Sequence, residues 1–427
     1  MRAKFGTVNL LGATVALPAA LALVLAVLVT ATAMPLGGAV CLAAEAAEPS
    51  DPAPPEPPPP AADKAYDVMS VDADQRKRES EVRNIALRAK QLSPEHRKQI
   101  EDYVEKYYLA RWTQPENRAK LAIVGDQKAL RRELRSFIES PLTEKEPHDY
   151  LNAVVLKTLG RIAAGNYHPQ ARTNAMLAIG ELNESEPRAG QAPKPLPAAL
   201  TLMLKELQSD KQMDAVRVTA LVGIMRHARL KAIPAADPNF AGVTQAAVKI
   251  IEEPMPAGRT PEGHGWMQSQ AADILGELGV SGANGAVAQA LGKLIGDSDA
   301  QLTARRSAAK ALGRLNMAGG NVGDAKKLAA ALASLAVAVC EVEERGPASR
   351  KRLRERVVVI GIGLRGPDEN GGVKSVASDA DARKIVDALD ASLKALGEAV
   401  DRGGDEATLV DKIGKQRKQL QEAIKAG

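Results

Sequence analysis

Hydrophobic and polar residues divide the chain into three regimes. From Phe5 to Ala44 no charged residue appears, and the run LLGATVALPAALALVLAVLVTATA is apolar all round rather than along one stripe. Residues 47–63, AEPSDPAPPEPPPPAAD, are polar and Pro-rich, a composition that stays extended and cannot pack a core. Beyond them the pattern turns amphipathic, and period-two runs of Val, Ile and Thr are nearly absent. It predicts helices over 74–92, 94–112 and 126–139. Ten more follow over 150–165, 171–182, 196–210, 216–227, 240–253, 267–278, 284–297, 304–315, 324–345 and 350–364. Two last helices are expected over 379–400 and 405–425. Ser93-Pro94 reads as an N-cap with proline in the first position, and Asp126, Asp210 and Asp237-Pro238 read as further starts. Gly125, Gly165 and Gly279 stand where C-terminal glycines belong.

Four of these helices repeat one another. ARTNAMLAIGEL (171–182), VRVTALVGIMRH (216–227), MQSQAADILGEL (267–278) and ARRSAAKALGRL (304–315) align on Ala175, Ala220, Ala271 and Ala308. Three positions earlier stand Arg172, Arg217, Gln268 and Arg305, and five positions later Gly180, Met225, Gly276 and Gly313. The aligned alanines are 45, 51 and 37 residues apart (220−175, 271−220, 308−271), near the period of one helical pair in a stacked array. Each repeated helix has a candidate partner immediately before it. A lone amphipathic pair cannot bury its faces, so stacking is expected to build one continuous core.

The pattern Arg-x-x-Ala-x-x-Ala-(Leu/Ile)-Gly-x-Leu resembles the second helix of a HEAT repeat, over about residues 148–364. The resemblance implies an all-α fold, a right-handed α-α superhelix of HEAT-like solenoid type. It further implies that the Ala and Gly permit close packing, and that the Arg joins a ladder with an Asp of a neighbouring turn. Asp214 and Asp299 are placed for that role. Gln268 departs from the Arg pattern and Met225 from the Gly. The domain reading is then 1–46 as a targeting segment, 47–73 as a linker and 74–147 as an N-terminal helical cap. Residues 148–365 form the repeat array, 366–378 a loop and 379–427 a charged C-terminal cap.

The N-terminus has the order of a secretory signal: Arg2 and Lys4, an apolar stretch, then small residues. Ala44-Glu45-Ala46 offers cleavage before Ala47, and Ala31-Thr32-Ala33 is a second candidate. An uncleaved anchor over 5–33 is the alternative. Gly38-Ala39-Val40 before Cys41 is a poor lipobox. The expectation is an exported protein, periplasmic or secreted.

Composition then narrows the function classes. Hydrophobic residues make up 45% and aromatic residues only 3%, so Leu, Ala, Val and Ile must supply the core. A charge of +5, from 57 basic and 52 acidic side chains, is a mixed surface rather than a nucleic-acid or lipid footprint. Gly361-x-Gly363-x-x-Gly366 imitates a dinucleotide turn, but Pro367 and a loop follow where a helix should open. Gly366, Gly371, Lys374 and Ser375 imitate a phosphate loop, with Gly372 where Lys is needed. His96, His148, His168, His227 and His264 include no pair at helical metal spacing. Cys340, in LASLAVAVC, reads as a small buried hydrophobe.

No catalytic, cofactor or metal residue is therefore nominated. The expected function is an exported scaffold that holds a protein partner, with neither nucleic acid nor cofactor. An accessory subunit or enzyme using the concave face is the alternative, and a duplex-binding solenoid a third reading. Insertions in solenoids gather on one face. Of the long loops 183–197, 253–266 and 366–378, the second carries Arg259, His264 and Trp266 and is the expected contact patch.

Overall fold

A computed structural model describes residues 66–122, 130–138, 144–317, 322–403 and 405–426. The targeting segment, linker residues 47–65, Gly125 and Asp126 lie outside them; the linker's last residues, 66–73, lie inside and are tied to the body, Asp67 N donating to Asn166 O at 2.8 Å and Met69 N to Thr113 Oγ1 at 2.9 Å. The described residues belong to the unit Lys64–Gly427, and their regular structure is helical apart from one short ribbon. None of their helices is long and apolar enough to cross a membrane.

The first four helices are α1 (Glu79–Arg88), α2 (Pro94–Tyr103), α3 (Arg118–Ala122) and α4 (Leu130–Ile138). Ser93 starts α2 as expected: its Oγ accepts from His96 N at 3.2 Å, with Pro94 in the first turn. The run predicted over 94–112 does not continue as one α-helix. It widens into a π-turn at Val104–Tyr108 and tightens into a 3-10 turn at Ala110–Thr113. The bulky sequence YYLARW is accommodated there, because the change of winding turns Tyr107, Tyr108 and Trp112 all inward. The 74–92 prediction likewise splits into a 3-10 turn at Ala73–Arg78 and α1.

Five pairs follow. They are α5 (Lys145–Ala164) with α6 (Pro169–Glu181), α7 (Pro197–Gln208) with α8 (Asp214–Arg229), and α9 (Phe240–Glu252) with α10 (Pro261–Leu278). Then come α11 (Ala286–Gly296) with α12 (Leu302–Arg314), and α13 (Ala325–Arg345) with α14 (Arg350–Arg365). Within a pair the helices pack on each other. Between pairs, α5, α7, α9, α11 and α13 pack in series as one layer, and α6, α8, α10, α12 and α14 as another. The core runs between the layers without a break, from Val155 and Ile179 through Leu200, Ile224 and Leu275 to Leu312 and Leu335. Each of these side chains is fully buried, worth about 1.5–3 kcal/mol relative to exposure.

The layers end differently. At one end, α1, α2 and α4 pack on α5, and α3 on α6. At the other, α15 (Ala380–Asp401) packs on α13 and α14, and α16 (Glu406–Ala426) lies along α13 and α15. Their polar faces stay wet, as end helices require.

Proline and capping oxygens set the starts. Pro169, Pro197 and Pro261 open α6, α7 and α10 in positions where no amide hydrogen is needed. The carboxylates of Asp324 and Asp379 accept from Lys327 N and Ala382 N at 3.1 and 2.9 Å. Asp210 caps nothing: α8 begins four residues later at Asp214. Asp237 caps the turn before α9 instead, accepting from Asn239 N at 2.7 Å. Gly279 ends α10 with φ +70°, the left-handed cap expected, whereas Gly165 ends α5 extended. One exception to the all-helical picture lies inside the 183–197 loop, where Asn183–Ser185 and Lys194–Pro195 form a short antiparallel ribbon, β1–β2.

Candidate partner-binding surface

The repeated polar position does one job in four pairs. Arg172 Nε donates to Ala163 O at 3.1 Å, Arg217 Nε to Leu207 O at 3.1 Å, and Arg305 Nε to Ile295 O at 2.8 Å. Gln268 Nε2 donates to Ile251 O at 3.1 Å. In every case the acceptor is the next-to-last residue of the preceding helix, whose last four carbonyls have no partner within the helix. The side chain therefore caps its partner helix and fixes the angle of the pair. Gln268 supplies the same reach and the same donor as Arg, so the departure from the pattern keeps the function. Burial works against the charge of Arg172 and Arg305, whose pKa values are lowered on that account first.

Asp214 completes a link between pairs. Arg259 donates to it twice, Nε to Oδ2 at 2.7 Å and Nη2 to Oδ1 at 2.8 Å, while Arg217 Nη1 stands 3.6 Å away. The Arg259 hydrogen bond comes first among the causes that hold the Asp214 carboxyl below its ordinary range. Asp299 makes no ion pair among the described residues; its backbone N–H donates to Asp297 Oδ1 at 2.9 Å. The expected Arg–Asp ladder is thus present at Asp214 and replaced at Asp299 by a local turn.

The small positions mark where one helix touches the next. A Cβ on Gly180 would lie 2.9 Å from Gly223 Cα, one on Gly276 2.9 Å from Ala311 Cα, and one on Gly313 1.9 Å from Ile362 O. Ala175, Ala220, Ala271 and Ala308 are all fully buried. In α8 the contact glycine is Gly223, two residues before the aligned Met225, so the close approach survives a shift in register. Gly361 and Gly363, two of the three glycines in the dinucleotide-like spacing, are buried within α14, and a Cβ on Gly363 would lie 2.7 Å from Ala309 O.

The 253–266 segment is shorter as a loop than its composition suggests. Thr260 Oγ1 accepts from Gly263 N at 3.1 Å and Pro261 starts α10, so His264 and Trp266 lie on the helix. The Arg259 side chain is only 6% exposed and is committed to Asp214; its Nη1 also lies 3.1 Å from His264 Nδ1. His264 is buried, and burial first, then Arg259, lowers its pKa. Trp266 is half-buried and packs on the core. Arg259 thus braces the third pair against the second, and the polar groups of Arg259 and His264 are engaged there rather than free for a partner.

What that bracing leaves open is a groove of about 330 Å³ between the third and fourth pairs. Glu252, Glu253 and Met255 line one side, Lys293, Asp297 and Asp299 the other. Met255 is 49% exposed between Pro254 and Pro256. Glu252 and Lys293 also line a second groove of about 680 Å³, together with Gly292, Gly296, Ala331 and Ile424. No local motif reveals either groove, because each is assembled from helices tens of residues apart.

A polar cluster beneath the first ribbon also lay beyond motif reading. Asn152 Nδ2 donates to Asn183 O at 2.9 Å, and Asn183 Nδ2 to Glu186 Oε2 at 2.8 Å. His148 Nε2 lies 3.4 Å from Glu186 Oε1, and Arg226 reaches both Gly180 O and Asn183 Oδ1. All five tie the loop to α5 and α8. Of the remaining histidines, His168 accepts from Gln170 N at 3.2 Å as the cap of α6, and His227 is buried in α8. Among the described residues no three His, Cys, Asp or Glu side chains gather as metal ligands. Cys340 is buried, and burial pushes its thiol up to about 12. No protein-family description, curated protein or solved structure matches the chain.

Proposed function

We propose that the chain is an exported α-solenoid of HEAT-like repeats, a right-handed superhelical scaffold that holds a protein partner in the cell envelope. One observation carries the reading. Four successive pairs are locked by the same side-chain-to-carbonyl cap, and the locked pairs pack in series, so one repeated device fixes the stacking geometry along the array. That is the economy of a repeat array, whose extended surface serves recognition. Export rests on the apolar segment from Phe5 to Ala44 and the Pro-rich spacer after it.

The test is capture. The tagged chain, cross-linked in its native envelope fraction, should retain a reproducible protein partner that untagged chain in excess displaces. If no displaceable partner is retained at any cross-linker length, the scaffold reading fails. An enzymatic role on the same surface would then be the reading to pursue.

A further inference from the structure

We infer that the groove between the third and fourth pairs binds a cationic peptide segment carrying an apolar anchor side chain. The inference rests on the scaffold reading and names the chemistry of its ligand. Charge comes first. Glu252, Glu253, Asp297 and Asp299 line the groove against one cation, Lys293, a balance of −3 (four acids, one lysine) in a chain whose net charge is +5. Glu252, Asp297 and Asp299 are exposed and enter no ion pair among the described residues, while Glu253 stands 3.9 Å from Arg259. Unpaired like charges at a cleft repel one another, and a bound cation relieves that repulsion.

Shape supplies the second argument. Met255 projects at the rim, half exposed, and Pro254 and Pro256 restrict the backbone that carries it. A flexible thioether adapts to apolar side chains of varied shape. A volume of about 330 Å³ takes a few side chains, and the adjoining groove of about 680 Å³ gives the segment room to continue over Gly292, Gly296 and Ala331. The charge also selects the class of partner. An anionic lipid surface or a nucleic-acid backbone would be repelled by the carboxylates at this site, whereas a Lys- or Arg-bearing peptide is attracted.

The experiment is fluorescence anisotropy with a labelled synthetic decapeptide of Lys, Arg and Leu, titrated with the full chain. Saturable binding is expected. Asp297→Lys with Asp299→Lys should weaken it at least tenfold, and Met255→Ser about threefold. Replacing the peptide's Leu by Ser should match the Met255→Ser loss. Asp210→Lys, an exposed acid outside the groove with its side chain 89% exposed, should leave binding unchanged. The inference is overturned if the wild type does not bind, or if Asp210→Lys weakens binding as much as the groove pair does. Should the double variant misfold by circular dichroism, Glu252→Gln carries the question, and an unchanged affinity there also overturns it. Partner capture that persists when the peptide fails to bind would sink the groove and spare the scaffold. Peptide binding without partner capture would do the reverse.

Discussion

Arg305 and Gln268 show how one side chain sets the geometry of a pair. Arg305 is 5% exposed and donates to a helix-end carbonyl that has no other partner in its own helix. Arg305→Ala should cost about 2–3 kcal/mol, the range for a buried charged hydrogen bond. Arg305→Gln should recover a measurable part of that loss, because Gln268 makes the same bond natively. Thermal or denaturant unfolding of the two variants decides it; equal losses would mean that charge, not reach, matters. His227 sets a pH window. Burial first, then Arg226, lowers its pKa to about 4 from an ordinary 6.5. The folded state therefore binds fewer protons than the unfolded state between those values. Its contribution is fully present above pH 6.5 and is lost as pH falls towards 4, up to about 3 kcal/mol. A conservative apolar replacement such as His227→Leu should flatten that part of the stability profile, and an unchanged slope would remove His227 as the cause. Cys340 should resist alkylation at pH 8 until the chain unfolds, since its thiol sits at about 12.

At the scale of elements, the same substitution should have opposite signs in two helices. A Cβ on Gly313 would meet the backbone of α14 at 1.9 Å, and backbone cannot swing aside. Gly313→Ala should cost about 3 kcal/mol by forcing α12 and α14 apart. Gly397, in α15, has nothing within 4 Å of its added Cβ. Gly397→Ala should raise stability by about 0.5–1 kcal/mol through helix propensity alone. Unfolding midpoints of the two variants test the assignment of Gly313 as a contact point. The helices of the repeats were legible in the sequence because their spacing, prolines and small residues agree with one another. The N-terminal turns were not, since π and 3-10 winding depends on where Tyr107, Tyr108 and Trp112 must point, which is a tertiary demand. The shift from Met225 to Gly223 was hidden for a similar reason. Alignment on Ala220 fixes the sequence register, but the neighbouring helix fixes which residue it touches.

For the whole molecule, aromatic residues reveal a division of labour. Four of the six Tyr, with Trp112 and Phe137, fall between residues 66 and 137, and the other two, Tyr150 and Tyr167, in the first pair, while the later pairs are packed mainly with Ala, Leu, Ile and Val. The low aromatic content thus reflects an array stacked on small residues beneath an aromatic end. Surface chemistry was the least legible part. Arg259, His264 and Trp266 read as a contact patch because they are the chemically distinctive residues of a long loop. Arg259 and His264 turn inward because Asp214, 45 positions before Arg259, takes the guanidinium. The acids that remain outside belong to two different pairs and look unremarkable in isolation.

The central claim is that the stacked pairs present a surface to a protein partner. The most direct measurement is site-specific photo-cross-linking in the native cells, with the photoreactive residue walked through exposed positions such as 255, 297, 351 and 394. Discrete adducts to one protein are expected, arising from neighbouring positions on one side of the stack and strongest at 255 and 297. Adducts absent everywhere, or spread evenly over all positions and many proteins, would contradict it.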